Sequence, residues 1–167
     1  PLFGIDSRRP LSAFDMLGFT LPYEMGATGV LEVLDLAGIP LESAARGDLD
    51  PVVVGGGASF VNPEPMAEFF DAIVIGEGEE ILPELMRKLV GRKRNRPDWR
   101  TQYLKEASGH EGVYIPQLYE AEYGADYSLV STKPLDAETP SEVRRIHVDI
   151  NKYLYPMKPI VSSTETV

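Results

Sequence analysis

Two glycine-rich segments, each directly after an apolar run, carry the residue types best suited to holding a ligand. Gly55-Gly56-Gly57-Ala58-Ser59 follows Pro51-Val52-Val53-Val54, and Gly76-Glu77-Gly78-Glu79-Glu80 follows Ala72-Ile73-Val74-Ile75. Glycine lets a backbone turn sharply and lets a ligand approach with no Cβ in the way. A tight strand-to-helix turn reads the first segment equally well. In the second, Glu79 and Glu80 also read as first-turn residues that favour the helix macrodipole. That loop would repel a phosphate, yet its backbone can line a neutral ligand. Thr20, at the end of an earlier apolar run and followed by Leu21-Pro22, adds a hydroxyl able to donate to a ligand atom, although local turn capping is its commoner role. Neither glycine segment is the dinucleotide pattern G-x-G-x-x-G, and no G-x-x-x-x-G-K-[ST] phosphate loop occurs.

Other side chains point to less. His110 and His147 lie far apart, with no second histidine at helical spacing and no acid completing a metal site, and read as loop and strand histidines. Ser59 lacks the G-x-S-x-G setting of an activated nucleophile. Cysteine is absent, which excludes disulfides, thiolate zinc sites and a Cys-ligated iron–sulfur cluster within these residues. The basic run 92–96 reads as a solvated helix end rather than a grip on an acidic partner, and Trp99, Tyr114, Tyr119 and Tyr123 read as packing. With 26 acidic against 16 basic residues the formal charge is −10, so phosphate backbones and anionic membranes are repelled. No apolar run is long enough to span a bilayer and the start has no signal pattern. A cytoplasmic protein with no nucleic-acid or membrane partner is the expectation.

The elements that must position these residues follow from the apolar pattern. Residues 14–21 read as a buried strand. Residues 28–37, with Val30, Leu31, Val33, Leu34 and Leu36, read as a helix stopped by Gly38 and Pro40. Residues 51–54 and 72–75 read as two further buried strands, separated by a short helix at 65–70. Ile81, Leu82, Leu85 and Leu89 mark the next helix, with Pro83 tolerated in its first turn. This alternation predicts an α/β fold with a doubly wound, Rossmann- or flavodoxin-like parallel sheet. Ligands of such sheets sit at the carboxyl ends of the strands, where Thr20 and both glycine loops fall.

Open sheets of this class commonly have about five strands. The sheet is therefore expected to be incomplete at its N-terminus, or completed by residues beyond 110. An exposed edge would invite pairing between copies into a dimer. Farther on, a mostly polar helix at 98–107, a hairpin of 112–115 with 118–123, and a strand at 143–150 predict a C-terminal α+β appendage. The expected units are 1–91 for the sheet domain, 92–155 for the appendage and 156–167 for a linker.

The stretch from Val52-Val53-Val54-Gly55-Gly56-Gly57-Ala58-Ser59 through Asn62-Pro63-Glu64-Pro65 to Phe70-Asp71-Ala72-Ile73-Val74-Ile75-Gly76-Glu77-Gly78-Glu79-Glu80 resembles the cobalamin-binding domains of B12-dependent radical S-adenosylmethionine proteins. In that family, glycine loops of these two kinds recur at about this spacing, and the likeness covers residues 14–90. Residues 1–11, Phe14-Asp15, Tyr23-Glu24 and Leu34-Asp35-Leu36-Ala37-Gly38-Ile39-Pro40 resemble one branch in which this region precedes the radical domain. Tyr114-Ile115-Pro116 and Val143-Arg144-Arg145 resemble its connector.

The resemblance implies cobalamin as cofactor, with ligand-lining positions at Thr20, Leu21, Gly55, Gly56, Gly57, Ala58, Ser59, Gly76, Glu77, Gly78 and Glu79 around the nucleotide tail and corrin edge. It implies the radical domain of the same polypeptide as partner. The Cys-x-x-x-Cys-x-x-Cys motif is absent, so the 4Fe-4S cluster and S-adenosylmethionine are expected in a domain downstream of Val167. The Asp-x-His-x-x-Gly motif is absent too, so no histidine here is assigned as an axial ligand. The leading expectation is an accessory corrinoid-binding module of a radical Fe-S oxidoreductase, with no catalysis by this chain alone. The alternatives are a scaffold or protein-interaction domain that has lost the cofactor, and a free-standing nucleotide-binding α/β enzyme, which the missing phosphate motifs disfavour.

Overall fold

The computed structural model describes residues 2–90 and 97–153. The basic run at 92–96 and the linker at 156–167 lie outside the described residues. Four strands, β1 (Met16–Thr20), β2 (Val52–Gly56), β3 (Ala72–Val74) and β4 (Val113–Tyr114), form one sheet in that order. β1, β2 and β3 are parallel and β4 is antiparallel to β3. Helix α1 (Ala27–Leu36) packs on one face, and α2 (Ile81–Leu89) and α3 (Trp99–Ser108) on the other. The fold is therefore the α/β, doubly wound type expected, with a mixed and mostly parallel sheet.

The β-branched run in β2 shows why the strands are apolar throughout. Val53 joins Val30 and Leu34 of α1, whereas Val52 and Val54 join Leu85 of α2 and Tyr103 of α3. Side chains alternate across a strand, so a strand covered on both faces needs an apolar residue at every position. Ile81, Leu85 and Leu89 recur every fourth residue and give α2 its buried stripe. Helix α1 stops in a Schellman turn. Gly38 takes φ +68°, its N–H donates to the Asp35 carbonyl, and the Ile39 N–H donates to that of Leu34, with both apolar side chains in the same core.

Two expectations are corrected here. Residues 112–115 do not form a hairpin with 118–123. Val113 and Tyr114 pair instead with Val74 and Ile73, because a fully apolar segment belongs between two covered faces and Pro116 starts a 3-10 turn that ends it. The partner of β5 (Tyr119–Tyr123) is β6 (Leu129–Pro134), which forms a separate antiparallel sheet with it around the Gly124–Ser128 turn. Helix α3 is polar at most of its positions, as expected. It buries Trp99, Tyr103, Leu104 and Ala107 in the core of the main sheet. The strand expected at 143–150 is reduced to a single parallel bridge, Ile146 with Gly76.

The turn leaving β6 is tied back to α3. Asp136 accepts from the Thr139 hydroxyl and N–H, each at 2.8 Å, and from Lys105 Nζ at 3.2 Å, while Lys105 also reaches Glu138 at 2.7 Å. The Thr139 hydrogen bonds first, then Lys105, hold the Asp136 carboxyl at about 2, below its ordinary 3.8. A carboxyl depressed in the folded state adds stability above its unfolded value, and that contribution fades as pH falls through the folded one. Acidification from 3.8 through about 2 is thus expected to release residues 136–139 from Lys105. A carboxyl 13C titration should show a midpoint near 2 for Asp136; an ordinary midpoint would mean that the Thr139 and Lys105 contacts do not hold in solution.

Candidate functional site

A cleft of about 740 Å³ opens at the carboxyl ends of β1, β2 and β3, beside α2. Thr20, Gly55, Gly56, Gly57, Gly76, Glu77, Gly78 and Glu79 line it, and Gly18, Leu82, Pro83 and Met86 complete its floor and one wall. Parallel register places Thr20 beside Gly56 and Gly56 beside Val74, so the ends of three strands meet at one point. Leu21, Ala58 and Ser59, grouped with these residues in the sequence, do not line the cleft. Leu21 is buried beneath it, with its N–H donating to the Gly56 carbonyl at 2.8 Å and its carbonyl accepting from the Ser59 N–H at 3.1 Å. The Ser59 hydroxyl is buried without a partner, and Ala58 is exposed at the start of a 3-10 turn.

The glycines divide into two kinds. At Gly55, a Cβ would lie 2.7 Å from the Phe60 ring and 3.0 Å from Phe70, inside the core of the opposite face. Gly57 takes φ +106°, and a Cβ there would sit 2.7 Å from the Leu21 carbonyl oxygen. Gly76 takes φ +113°, with the backbone of Ile146 where its Cβ would be. Neighbouring protein atoms account for all three. Gly56 and Gly18 are different: a Cβ at Gly56 meets nothing closer than the Val74 carbonyl at 3.7 Å, and one at Gly18 meets nothing within 4 Å. These two leave the floor open. Gly18 was hidden in the sequence as one small residue within an apolar strand, and only its alternation with Met16 and Thr20 hints at a shared face.

The polar side chains of the cleft are Thr20, Glu77 and Glu79. Glu77 is met by Arg145 at 3.4 Å and by His147 at 3.8 Å. Both come from residues 143–149, a strap laid along the glycine loop. The Ile146 N–H donates to the Ile75 carbonyl at 2.9 Å, and the Glu77 N–H donates to the Ile146 carbonyl at 3.3 Å. Sequence reading placed His147 in a strand but not against the loop. Among the described residues, no group of three or more His, Cys, Asp or Glu side chains is placed to hold a metal ion, and no helix is long and apolar enough to cross a membrane. What the cleft offers a ligand is a floor in which Gly18 and Gly56 lie beside Val54 and Val74, main-chain groups, one hydroxyl and an acidic lip.

Fold and cleft together define a doubly wound α/β domain with its crevice at the carboxyl ends of parallel strands, the usual ligand position of that class. The family described as radical SAM proteins, N-terminal, matches residues 1–116, and this chain belongs to that family. The match takes in the whole four-stranded sheet with α3 and ends just after β4, whereas β5, β6 and the strap lie beyond it. No curated protein and no solved structure matches the chain. Radical SAM proteins combine a 4Fe-4S cluster with S-adenosylmethionine in their catalytic domain, and this cysteine-free chain has no thiolate to ligate a cluster.

Proposed function

We propose that this chain is an accessory module of a radical SAM protein and that its cleft holds a corrinoid for the radical domain of the same polypeptide. The observation that carries the reading is the bare floor at Gly18 and Gly56, open at the carboxyl ends of the parallel strands. The residues present fit such a group: a bulky cofactor needs a low, apolar floor, and Gly18 and Gly56 keep it open beside Val54 and Val74. The ion pair of Glu77 with Arg145 tempers the acidic lip. In this reading Thr20 and the main chain of Gly56 and Gly78 hold the cofactor, with Leu82 and Met86 as its apolar side. A corrinoid would supply the cobalt chemistry, while this chain would bind and orient it. The second reading is a cofactor-free scaffold that docks protein here. Met86, 55% exposed on the cleft wall, favours it.

Visible-absorption titration with hydroxocobalamin and methylcobalamin, followed by desalting, tests the proposal on this chain and on the intact polypeptide. Corrin colour should stay with the protein. Gly18→Trp places a large side chain on the floor from a position whose Cβ meets nothing within 4 Å; with far-ultraviolet circular dichroism unchanged, affinity should fall about tenfold or more, as when a ligand loses its pocket to a side chain. If both proteins elute colourless, the corrinoid reading fails and the scaffold stands.

A further inference from the structure

A second cavity, about 890 Å³ and sharing no residue with the cleft, opens on the α1 side of the sheet between the 3-10 segments Ser43–Ala45 and Glu64–Phe69 and strand β5. Its lining pairs three tyrosines, Tyr114, Tyr119 and Tyr123, with three glutamates, Glu42, Glu64 and Glu68, and includes no lysine, arginine or histidine. The carboxylate of Glu64 is held by two phenols: Tyr114 donates to Oε1, and Tyr123 donates to Oε2 at 3.3 Å. Both donors are neutral. Burial and the Glu64 carboxylate push the Tyr114 phenol far above its ordinary value, so it remains a donor rather than a charge. Among the described residues no cation pairs with Glu64.

A carboxylate has about four acceptor positions, and two are taken here. The aromatic wall stands next to it, with the Tyr114 and Tyr119 rings 4.9 Å apart at 43° and Tyr123 about half exposed at the mouth. A fixed carboxylate without a counter-charge, beside tyrosine faces in a concave pocket, is complementary to a planar organic cation. Guanidinium suits it better than ammonium, because it stacks on rings and donates in a fork to carboxylates. We propose that this cavity is a binding site for a guanidinium group, an arginine side chain either on a peptide or in a small molecule, with Glu64 as its anchor and Tyr119 and Tyr123 as its stacking faces. The proposal is independent of what fills the glycine cleft.

The test is a titration of the chain with agmatine, with an acetylated Gly-Arg-Gly amide and with the same peptide carrying neutral citrulline, followed by amide chemical shifts. Saturable shifts at Gln117, Tyr119 and Tyr123 with the arginine peptide are expected, and none with citrulline. Binding of agmatine as well would identify a small molecule as sufficient, and binding of the peptide alone would identify a polypeptide source. Glu64→Gln keeps an acceptor for Tyr114 and should weaken binding about tenfold or more, as the loss of a charge-assisted pair does. Tyr123→Leu, at the exposed rim, leaves the core intact and should weaken it about threefold through the lost ring face. No saturable shift with either cation, equal binding of citrulline, or binding indifferent to both substitutions in folded protein would overturn the assignment.

Discussion

Asp71→Ala is expected to cost about 3–5 kcal/mol, a large share of the roughly 5–15 kcal/mol that holds a single domain folded. Asp71 stands just before β3 and is fully buried. Its Oδ2 accepts from Arg46 at 3.1 Å, from Arg100 at 2.7 Å and from the Val53 N–H at 2.7 Å. The two guanidiniums fan out from it to backbone carbonyls. Arg46 reaches those of Pro40, Leu41 and Phe69, and Arg100 those of Asp50 and Pro51. One carboxylate thus ties the loop after α1, the start of β2, the start of β3 and helix α3 into a single network. Deleting it strands two buried cations and an unpaired Val53 N–H. Burial alone already lowers the Arg46 pKa, and the Asp71 charge is what opposes that shift. Asp71→Asn restores an acceptor for Val53 without the charge and should fall between wild type and alanine. Urea unfolding followed by the fluorescence of Trp99, which is buried in the same core, reads both variants. If Asp71→Ala unfolds within about 1 kcal/mol of wild type, the carbonyls are sufficient partners for the two arginines and the hub is not the fold's keystone.

This hub was invisible in the sequence for a physical reason. Asp71 meets Arg46 and Arg100 across separations of 25 and 29 residues, and no local period encodes a contact of that kind. What could be read was whatever repeats locally. Val52-Val53-Val54 and Ala72-Ile73-Val74 end in glycines and announce buried strands, and Ile81, Leu85 and Leu89 announce a helix face. The pairing of those elements was legible only where parallel crossovers leave little choice. Val113-Tyr114 looked like half of a hairpin because its true partner, β3, lies about forty residues earlier and β6 was not recognised as a strand. The candidate site was legible as two glycine loops and a threonine, and the cleft does gather most of those residues. Their separate reasons were not legible. Glycine signals that a Cβ is unwelcome, but not whether Phe60, the Leu21 carbonyl or a ligand excludes it. The resemblance to radical S-adenosylmethionine proteins was read from the two glycine loops at their spacing and from segments within residues 1–40, whereas the open floor at Gly18 needed the register of β1 on β2.

Gly76→Ala is expected to release the 143–149 strap while leaving the sheet folded. Alanine at φ +113° costs about 1–3 kcal/mol by itself, and its Cβ would collide with the Ile146 main chain, so the strap must move away. Leaving breaks the Ile146 N–H to Ile75 bond and the Glu77 N–H to Ile146 bond, and separates Arg145 and His147 from Glu77. Val52, Val54 and Val74 are packed chiefly by α2 and α3, with Ile146 only partly buried against them, and Val53 is packed by α1, so the sheet keeps its core when the strap leaves. The expected signature is local: faster amide exchange at Ile146 and Glu77, and tryptic cleavage after Arg144 and Arg145, with the far-ultraviolet spectrum unchanged. Ile146→Ala provides the comparison, because it removes the side chain lying against Gly112 without straining the backbone at Gly76. It should loosen the strap less than Gly76→Ala does. If exchange at Ile146 is the same in all three proteins, the strap is not held by Gly76. If it loosens in the expected order, residues outside the family-matched 1–116 shape the lip of the cleft through Gly76 and Glu77.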